Sequence, residues 1–330
     1  MNVLIVGGGS IGERHLRNFL KLEGVRCSMV EPIPEKLERL KRTYKVARIY
    51  SDFEEVDFGT FDAAVICTPP NLHIPMALKT VRSGCHVLVE KPLSHTLDGV
   101  DDLIQAVESK GVVAGVAYVY RHHPGLERVK TLLEEGTIGT VLIAIVKAGQ
   151  EFPRYRPDYR NIYFARRAMG GGAILDAASH MLNYVEWCLG EVSEVCCFYD
   201  RMKLDVETED TAILLLRCRR NRAMVEIHEN LFQKHNHLSM DFIGSEGTIV
   251  WEHAEGRIGL FRSEEEGWQY EAFPCERDDS FVRQAQNFVA AIRGTEPIRT
   301  TIPEAAQTLK VCLWAKESYD TGRIVRDIQR

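Results

Sequence analysis

Residues 1–20 read MNVLIVGGGSIGERHLRNFL, and their order predicts the first three elements of the fold. The apolar run Val3–Val6 passes directly into a glycine cluster, and an amphipathic segment, Ile11–Leu22, follows the glycines. A short strand, a tight glycine turn and a helix in this order are typical of a dinucleotide-binding fold. We therefore expect a nucleotide cofactor to bind at the turn.

The glycines have the spacing Gly7-x-Gly9-x-x-Gly12, which assigns a separate task to each. Gly7 permits the tight turn, Gly9 lets a pyrophosphate approach the backbone, and Gly12 lets helix and strand pack closely. The first helical turn, with Ser10 and Ile11, would offer free N–H groups and a partial positive charge to the phosphates. An ordinary turn is the alternative interpretation of the glycines.

An acidic residue, Glu31, ends the next predicted strand about twenty residues after the glycine motif. Its carboxylate can accept hydrogen bonds from both hydroxyls of an adenosine ribose, and it would repel a 2′-phosphate. Pro32 follows it, where an NADP enzyme often has an arginine. The sequence therefore favours NAD over NADP, with a solvated strand end as the alternative for Glu31.

Alternating strands and helices over the first ~118 residues predict a doubly wound parallel sheet, the Rossmann architecture. The predicted strands are short and apolar on both faces, as buried parallel strands are: Val3–Val6, Cys27–Val30, Ala63–Cys67, His86–Val89 and Val112–Val116. The predicted helices between them are Ile11–Leu22, Glu35–Arg42, Ile74–Ser83 and Leu97–Ser109.

Beyond residue 118 the pattern changes to strands separated by short turns, which predicts an α+β domain with a large, mostly antiparallel open sheet. The strands expected there are Thr140–Gly149, Glu194–Tyr199, Thr211–Arg217, Ala223–Ile227, Leu238–Ile243, Thr248–Glu252 and Gly256–Phe261. Helices are expected over Pro124–Glu135, from the glycines at 170–172 to Leu189, and over Ser280–Arg293 and Pro303–Tyr319. We place the domain boundary between residues 119 and 120, which gives a cofactor-binding domain over 1–119 and a substrate-binding and oligomerisation domain over 120–330.

Composition excludes several classes of protein. The net charge of −6 gives no basic face for nucleic acid, and no apolar run has the ~20 residues that span a bilayer. The N-terminus lacks the basic region and cleavage site of a signal peptide. Nine cysteines without a C-x-x-C pair indicate reduced thiols and a cytoplasmic protein. No third ligand accompanies the acidic and histidine candidates below, so no metal site is predicted.

Two loops follow predicted strands at the edge of the sheet where ligands bind in such folds. The first reads CTPPNLH over 67–73, and its candidates for the cofactor are Thr68, Pro69, Asn71 and His73. A proline-rich turn with Asn71 as helix N-cap and a structural His73 is the alternative. The second loop reads Glu90-Lys91-Pro92.

Lys91 is the first candidate catalytic residue. An ammonium group at a strand end could polarise a hydroxyl or carbonyl and stabilise a developing alkoxide. Glu90 and Lys91 are also candidates for contacting the cofactor. An exposed lysine is the alternative.

The segment GGGAILDAASHMLN, residues 170–183, supplies the other chemical candidates. On a regular helix Asp176, His180 and Asn183 share one face. Histidine is suited to take the proton of a hydroxyl near neutral pH, and Asp176 could orient it or contact the substrate. A surface acid and a structural histidine are the alternatives.

These motifs together, GGGSIGERHLRN, TPPNLH, EKP and GGGAILDAASHMLN, resemble the glucose–fructose oxidoreductase / inositol dehydrogenase / MocA (GFO/IDH/MocA) family over essentially the whole chain. The resemblance implies NAD(P)-dependent oxidation or reduction of pyranoses, cyclitols and related polyols. It implies catalytic roles for Lys91, Asp176 and His180, and homodimers or homotetramers formed through the C-terminal sheet. The family often has Asp where this chain has Asn183, and an amide cannot act as a base.

An arginine- and tyrosine-rich segment, residues 152–169, lies before the glycines and is a candidate for reading the substrate. Arg156 could bind a carboxylate or phosphate, and Tyr163 could stack on a sugar. Tyr118 and Arg121, after the last Rossmann strand, are further substrate candidates, together with Lys91, Asp176, His180 and Asn183. A solvated or subunit-contact loop is the alternative for the segment; an acidic or nucleotide-linked sugar is the substrate that it would favour.

We therefore expect an NAD-dependent dehydrogenase of a sugar, cyclitol or sugar derivative. The first alternative is a lyase, epimerase or glycosidase that keeps NAD bound and oxidises its substrate transiently. The second is a non-catalytic dinucleotide-binding subunit, which the presence of all three catalytic candidates disfavours.

Overall fold

The computed structural model describes residues 1–327, and the chain forms two compact units. The first unit contains Met1–Val119 and Glu276–Ala306, and the second contains Tyr120–Cys275 and the chain from Gln307 onward. The sequence-based division placed residues 276–306 in the second domain, so the structure corrects that assignment.

The first unit is built on a six-stranded parallel sheet with the order β3-β2-β1-β4-β5-β6. Its strands are β1 (Asn2–Val6), β2 (Arg26–Val30), β3 (Ile49–Tyr50), β4 (Ala63–Ile66), β5 (His86–Val89) and β6 (Ala114–Val116). Its helices begin with α1 (Ser10–Phe19), α2 (Pro34–Thr43), α3 (His73–Arg82) and α4 (Val100–Lys110). The doubly wound sheet predicted from the sequence is confirmed. Strand β3 was not predicted, since two residues leave no apolar run.

Helix α8 (Arg277–Ile292) joins the first unit through contacts with α1. Phe288 packs edge-on against Phe19, with ring centroids 6.4 Å apart. Asp278 accepts hydrogen bonds from Arg17 at 2.7 and 2.8 Å. These contacts join segments about 260 positions apart, which explains why sequence patterns alone did not assign α8 to this unit.

The second unit contains a nine-stranded sheet with the order β14-β13-β12-β11-β7-β10-β9-β8-β15. Its strands are β7 (Val141–Glu151), β8 (Val192–Asp200), β9 (Thr211–Cys218), β10 (Met224–Asn230), β11 (Phe232–Gly244), β12 (Thr248–Glu252), β13 (Arg257–Phe261), β14 (Trp268–Ala272) and β15 (Val325–Arg326). All pairings are antiparallel except that of β7 with β10. The helices are α5 (Pro124–Glu134), α6 (Phe152–Tyr155), α7 (Ser179–Leu189) and α9 (Ile302–Thr321), the last beginning in the first unit.

The two faces of this sheet differ in polarity and burial. One face carries fully buried side chains such as Met240, Phe242 and Trp251. The opposite face leaves Leu215 and Met224 about half exposed, and Phe198 is 68% exposed. The mostly antiparallel open sheet is thus confirmed, although β14 and β15 were not predicted.

Within residues 1–327, no helix combines the length and apolar character that a membrane span requires.

Candidate cofactor and active site

The glycine turn between β1 and α1 is dictated by close backbone packing at two of its three motif glycines. Gly7 has φ +100°, and a Cβ there would lie 2.9 Å from the Cys67 carbonyl oxygen. A Cβ on Gly12 would lie 1.8 Å from the Gly7 carbonyl oxygen. A Cβ on Gly9 would meet no protein atom within 4 Å. Packing therefore explains Gly7 and Gly12, whereas Gly9 leaves room for a group that approaches the backbone from outside, as a pyrophosphate would.

Glu31, at the end of β2, is only 3% exposed and is anchored against the same turn. One carboxylate oxygen accepts a hydrogen bond from Gly8 N at 2.7 Å, and the other accepts one from Ile33 N at 2.9 Å. Each oxygen has a second lone pair that a ribose hydroxyl could use. The sequence suggested only the ribose contact; the structure adds that Glu31 also fixes the turn.

The CTPPNLH loop is held by His73, which is fully buried. Its Nε2 lies 2.8 Å from the Thr68 carbonyl oxygen, and its Nδ1 lies 2.9 Å from that of Pro92. Burial lowers the pKa of His73, while the hydrogen bonds to the two carbonyls raise it. Both ring nitrogens thus contact backbone of the protein itself. The imidazole joins the loop that contains Thr68 and Pro69 to the loop after β5.

Asn71 does not cap α3, because that helix begins at His73 with Leu72 as its N-cap. The N-cap interpretation of Asn71 is therefore wrong. Its Oδ1 is buried, and within residues 1–327 it accepts no hydrogen bond. A buried carbonyl oxygen without a donor is costly. It is consistent with a ligand that supplies a donor, such as an amide or a hydroxyl of a cofactor.

Glu90 and Lys91 follow β5, and each carboxylate oxygen of Glu90 takes part in a hydrogen bond. Its Oε1 lies 2.6 Å from His15 Nε2, and its Oε2 accepts a hydrogen bond from Lys91 N at 3.0 Å. Sequence analysis did not single out His15, which lies on α1 three residues after Gly12.

In the second unit, packing requires glycine at Gly171 and Gly172. A Cβ on Gly171 would lie 2.1 Å from the Phe164 carbonyl oxygen. Gly172 has φ +105°, and a Cβ there would meet the Glu209 carboxylate at 2.3 Å. Glu209 accepts a hydrogen bond from Ile174 N at 3.2 Å, so it caps the helical segment that follows. Glu209 is a residue that sequence analysis missed.

A π turn over Ile174–Ala178 precedes α7, where the sequence predicted one regular helix. Asp176 lies in this turn, and its Oδ1 accepts a short hydrogen bond from the Tyr163 hydroxyl. His180 lies in the first turn of α7, where Tyr120 stacks on it with ring centroids 5.0 Å apart. Tyr163 is thus a hydrogen-bond donor to Asp176. Single π turns inside helices are frequent at functional sites.

Asn183 and Arg121 are buried and bonded to each other, with Arg121 Nε donating to Asn183 Oδ1 at 2.8 Å. Asn183 Nδ2 in turn donates to Thr308 Oγ1 at 3.0 Å. Both had been predicted to contact the substrate, and Tyr118, another such candidate, is also buried. Both side chains thus have a structural task, because Asn183 joins α7 to α9 through Thr308 and Arg121 binds the same amide.

The same network ends at Glu186, whose Oε2 accepts a hydrogen bond from Thr308 Oγ1 at 2.7 Å. Its other oxygen, Oε1, is also buried. Burial raises the pKa of Glu186 to about 7, against the hydrogen bond from Thr308, which lowers it. The carboxyl therefore changes charge within the physiological pH range.

Glu229 on β10 is a third buried carboxyl that the sequence analysis missed, with 2% exposure. Its neighbours Val225 and Ile227 are buried on the same face of the strand. Burial raises the pKa of Glu229 well above its usual value, and the negative charge of Asp176 raises it further. The π turn with Asp176 therefore lies close to a buried carboxyl whose pKa is raised.

Three arginines of the 152–169 segment hydrogen-bond to other groups of the protein itself. Arg156 donates to the Tyr155 carbonyl oxygen, Arg160 pairs with Asp205, and Arg167 donates to the Glu207 carbonyl oxygen. Of the two candidates in this segment, the structure brings only Tyr163 to a proposed catalytic side chain. Among residues 1–327, no group of three or more His, Cys, Asp or Glu side chains is arranged to hold a metal ion.

Both units contain segments that match known protein families. Residues 1–118 match a family described as an oxidoreductase family with an NAD-binding Rossmann fold, and residues 126–250 match the GFO/IDH/MocA C-terminal domain. The chain belongs to the GFO/IDH/MocA oxidoreductase family. The family, the fold and the oxidoreductase class expected from the motifs are confirmed.

Two relatives illustrate the range of the family. A levoglucosan dehydrogenase of Pseudarthrobacter phenanthrenivorans is 25% identical over 285 residues, or 76% of this chain and 73% of the relative. A myo-inositol 2-dehydrogenase of Thermotoga maritima is 23% identical over 336 residues, or 99% of this chain and 98% of the relative. A solved levoglucosan dehydrogenase in complex with NADH and levoglucosan has a TM-score of 0.91 at 21% identity, and each chain is covered completely.

Proposed function

We propose that the chain transfers hydride between NAD and a carbinol or ketone carbon of a sugar, cyclitol or sugar derivative. The observation that carries the proposal is the glycine turn with its anchored Glu31, in a chain of this oxidoreductase family. When bound, NAD⁺ supplies the hydride acceptor. Gly9, Ser10, Ile11 and Glu31 would hold its phosphates and ribose, and Thr68, Pro69, Asn71 and Glu90 would line the rest of its site.

We assign the catalytic roles to Lys91, Asp176 and His180. His180 takes the proton of the substrate hydroxyl as an imidazole base, for which its chemistry is suited near pH 7. Lys91 steadies the substrate oxygen as negative charge develops on it. Asp176, oriented by the Tyr163 hydroxyl, positions His180 or a second substrate hydroxyl. In the reverse direction the same groups return the proton to a ketone oxygen.

The preference for NAD over NADP rests on the position of Glu31. The carboxylate is held by Gly8 and Ile33, so it cannot swing away from a 2′-phosphate without breaking two hydrogen bonds. Repulsion between two anions in a buried site is strong because little water screens it.

The first experiment measures NADH absorbance with NAD⁺ and NADP⁺ against pyranoses, cyclitols, sugar acids and nucleotide sugars. We expect turnover with NAD⁺ that is lost in His180→Ala while NADH binding, followed by fluorescence, is kept. No NADH formation with any substrate, with NAD retained by the purified protein, would instead favour transient oxidation with bound NAD, as in a lyase or epimerase.

We propose that the chain forms homodimers or homotetramers through the open face of the nine-stranded sheet. The exposed side chains of Phe198, Leu215 and Met224 on that face support this, because monomers rarely expose a broad apolar patch. Sedimentation velocity on the wild type and Leu215→Glu tests it. A wild type that sediments as a monomer would contradict the proposal.

We also propose a cytoplasmic location. Six of the nine cysteines are buried thiols, which suits a compartment that keeps thiols reduced. Cell fractionation with an antibody against the chain tests this.

A further inference from the structure

The starting observation is a buried contact between α1 and the loop after β5. His15 Nε2 lies 2.6 Å from Glu90 Oε1, and the two side chains are 1% and 6% exposed. The distance is that of a charge-assisted hydrogen bond. A residue of the helix that follows the glycine turn is therefore joined directly to the residue that precedes Lys91.

The second oxygen of Glu90 continues the connection to Lys91. Glu90 Oε2 accepts a hydrogen bond from Lys91 N at 3.0 Å. An ionised carboxylate can only accept hydrogen bonds, so Nε2 of His15 is the donor whenever Glu90 is charged. The carboxylate thus has one defined orientation, with His15 on one side and the backbone of Lys91 on the other.

The orientation of the Glu90 carboxylate depends on the His15 imidazole because of the side chains that surround His15. The ring of Phe281 lies edge-on to it at 5.7 Å, and that of Phe19 lies at 6.3 Å. Aromatic neighbours leave little water to replace a lost donor, and a buried carboxylate that loses one of its donors is destabilised. Loss of the imidazole would thus leave Glu90 to reorient or to take up a proton, and either change would disturb the Lys91 backbone.

We propose that His15 is a positioning residue for Lys91 and acts through the Glu90 carboxylate. This inference rests on the proposed function, since it assigns His15 to the same reaction. It predicts that His15 affects the chemical step more than it affects cofactor affinity.

The test compares two amides at one position. His15→Gln places an N–H donor near the position of Nε2, whereas His15→Asn is one methylene shorter and cannot reach Glu90. Phe19→Leu is the matched control, because Phe19 is buried on the same helix and its ring lies 6.3 Å from that of His15.

We expect His15→Asn to lose about 10-fold or more in kcat while the dissociation constant of NADH changes less than about twofold. His15→Gln should recover most of the loss, and Phe19→Leu should lower the melting temperature with kcat unchanged. The inference is overturned if the two amides have the same kcat, or if kcat falls only in parallel with NADH affinity and thermal stability.

A second readout does not require turnover and separates this inference from the proposed function. The rate at which an acylating reagent labels the Lys91 amine is measured by peptide mass spectrometry on the NADH-bound protein. We expect the rate to differ by about threefold or more between His15→Asn and the wild type, and to be normal in His15→Gln and Phe19→Leu. Equal rates in all four proteins would refute the inference even if the enzyme is active; a difference supports it even if no substrate has been found.

Discussion

Glu186 gives a prediction whose size follows from the structure. Its carboxyl is enclosed beside Thr308, at the end of the network that starts at Arg121 and holds α7, the helix of His180. Burial raises the pKa of Glu186 from 4.5 to about 7. The folded state therefore binds this proton more tightly than the unfolded chain does.

The sign of the pH dependence follows from that difference. As pH rises from about 4.5 to about 7, the unfolded chain releases the proton first, so the free energy of unfolding decreases. At about 1.4 kcal/mol for each unit of pKa difference, the free energy of unfolding has decreased by up to about 3 kcal/mol once the pH is above 7. Glu186→Gln cannot ionise, and its amide oxygen can still accept the hydrogen bond from Thr308. The variant should equal the wild type near pH 4 and be more stable by up to about 3 kcal/mol at pH 8.5.

The assay is urea unfolding at several pH values, followed by tryptophan fluorescence. All four tryptophans, at 187, 251, 268 and 314, lie in the second unit, so the signal reports on the unit that contains Glu186. Glu317→Gln, at an exposed position on α9, is the control and should show no pH-dependent difference. A stability difference for Glu186→Gln that stays constant from pH 4 to 8.5 would refute the reasoning.

Three further predictions concern the site. Tyr163→Phe removes the donor to Asp176, so kcat/KM should fall about 5- to 20-fold with NADH affinity unchanged, and equal kinetics would exclude an orienting role. Gly9→Ala should weaken NADH binding, measured by fluorescence titration, without changing the melting temperature, whereas Gly12→Ala should unfold the chain because its Cβ meets backbone at 1.8 Å. Glu31→Ser should raise the NADP⁺ to NAD⁺ ratio of kcat/KM about 10-fold or more, since the buried anion is gone; an unchanged ratio would mean that another residue selects the cofactor.

The sequence predicted the Rossmann unit well because its strands are apolar on both faces and its turn requires glycine. Gly12 shows the reason most clearly, because the Cβ of any other residue would lie 1.8 Å from the Gly7 carbonyl oxygen. The two-residue strand β3 left no such pattern. The return of α8 to the first unit depends on contacts such as Phe19 with Phe288, which no local pattern encodes.

The site was predicted less completely. Helical spacing predicts which face of a helix a side chain lies on, but it does not predict which groups that side chain hydrogen-bonds. Asn183 does lie on the helix expected for it, yet its amide is used by Arg121 and Thr308. The π turn around Asp176 has no sequence signature that we could use. Glu229 did have one, because it continues the alternation of Val225 and Ile227 onto the buried face of β10, where a carboxyl is unusual.

The return of residues 276–306 to the first unit has a consequence for how this protein can be divided and recombined. A gene fragment that ends at residue 119 would lack α8 and would leave Phe19 and the apolar side of α1 uncovered. The second unit is, in effect, largely an insertion between two parts of the first unit. Exchange of second units between relatives would therefore need three crossover points, near residues 120, 275 and 306, and a single crossover would separate a helix from the sheet that it helps to cover.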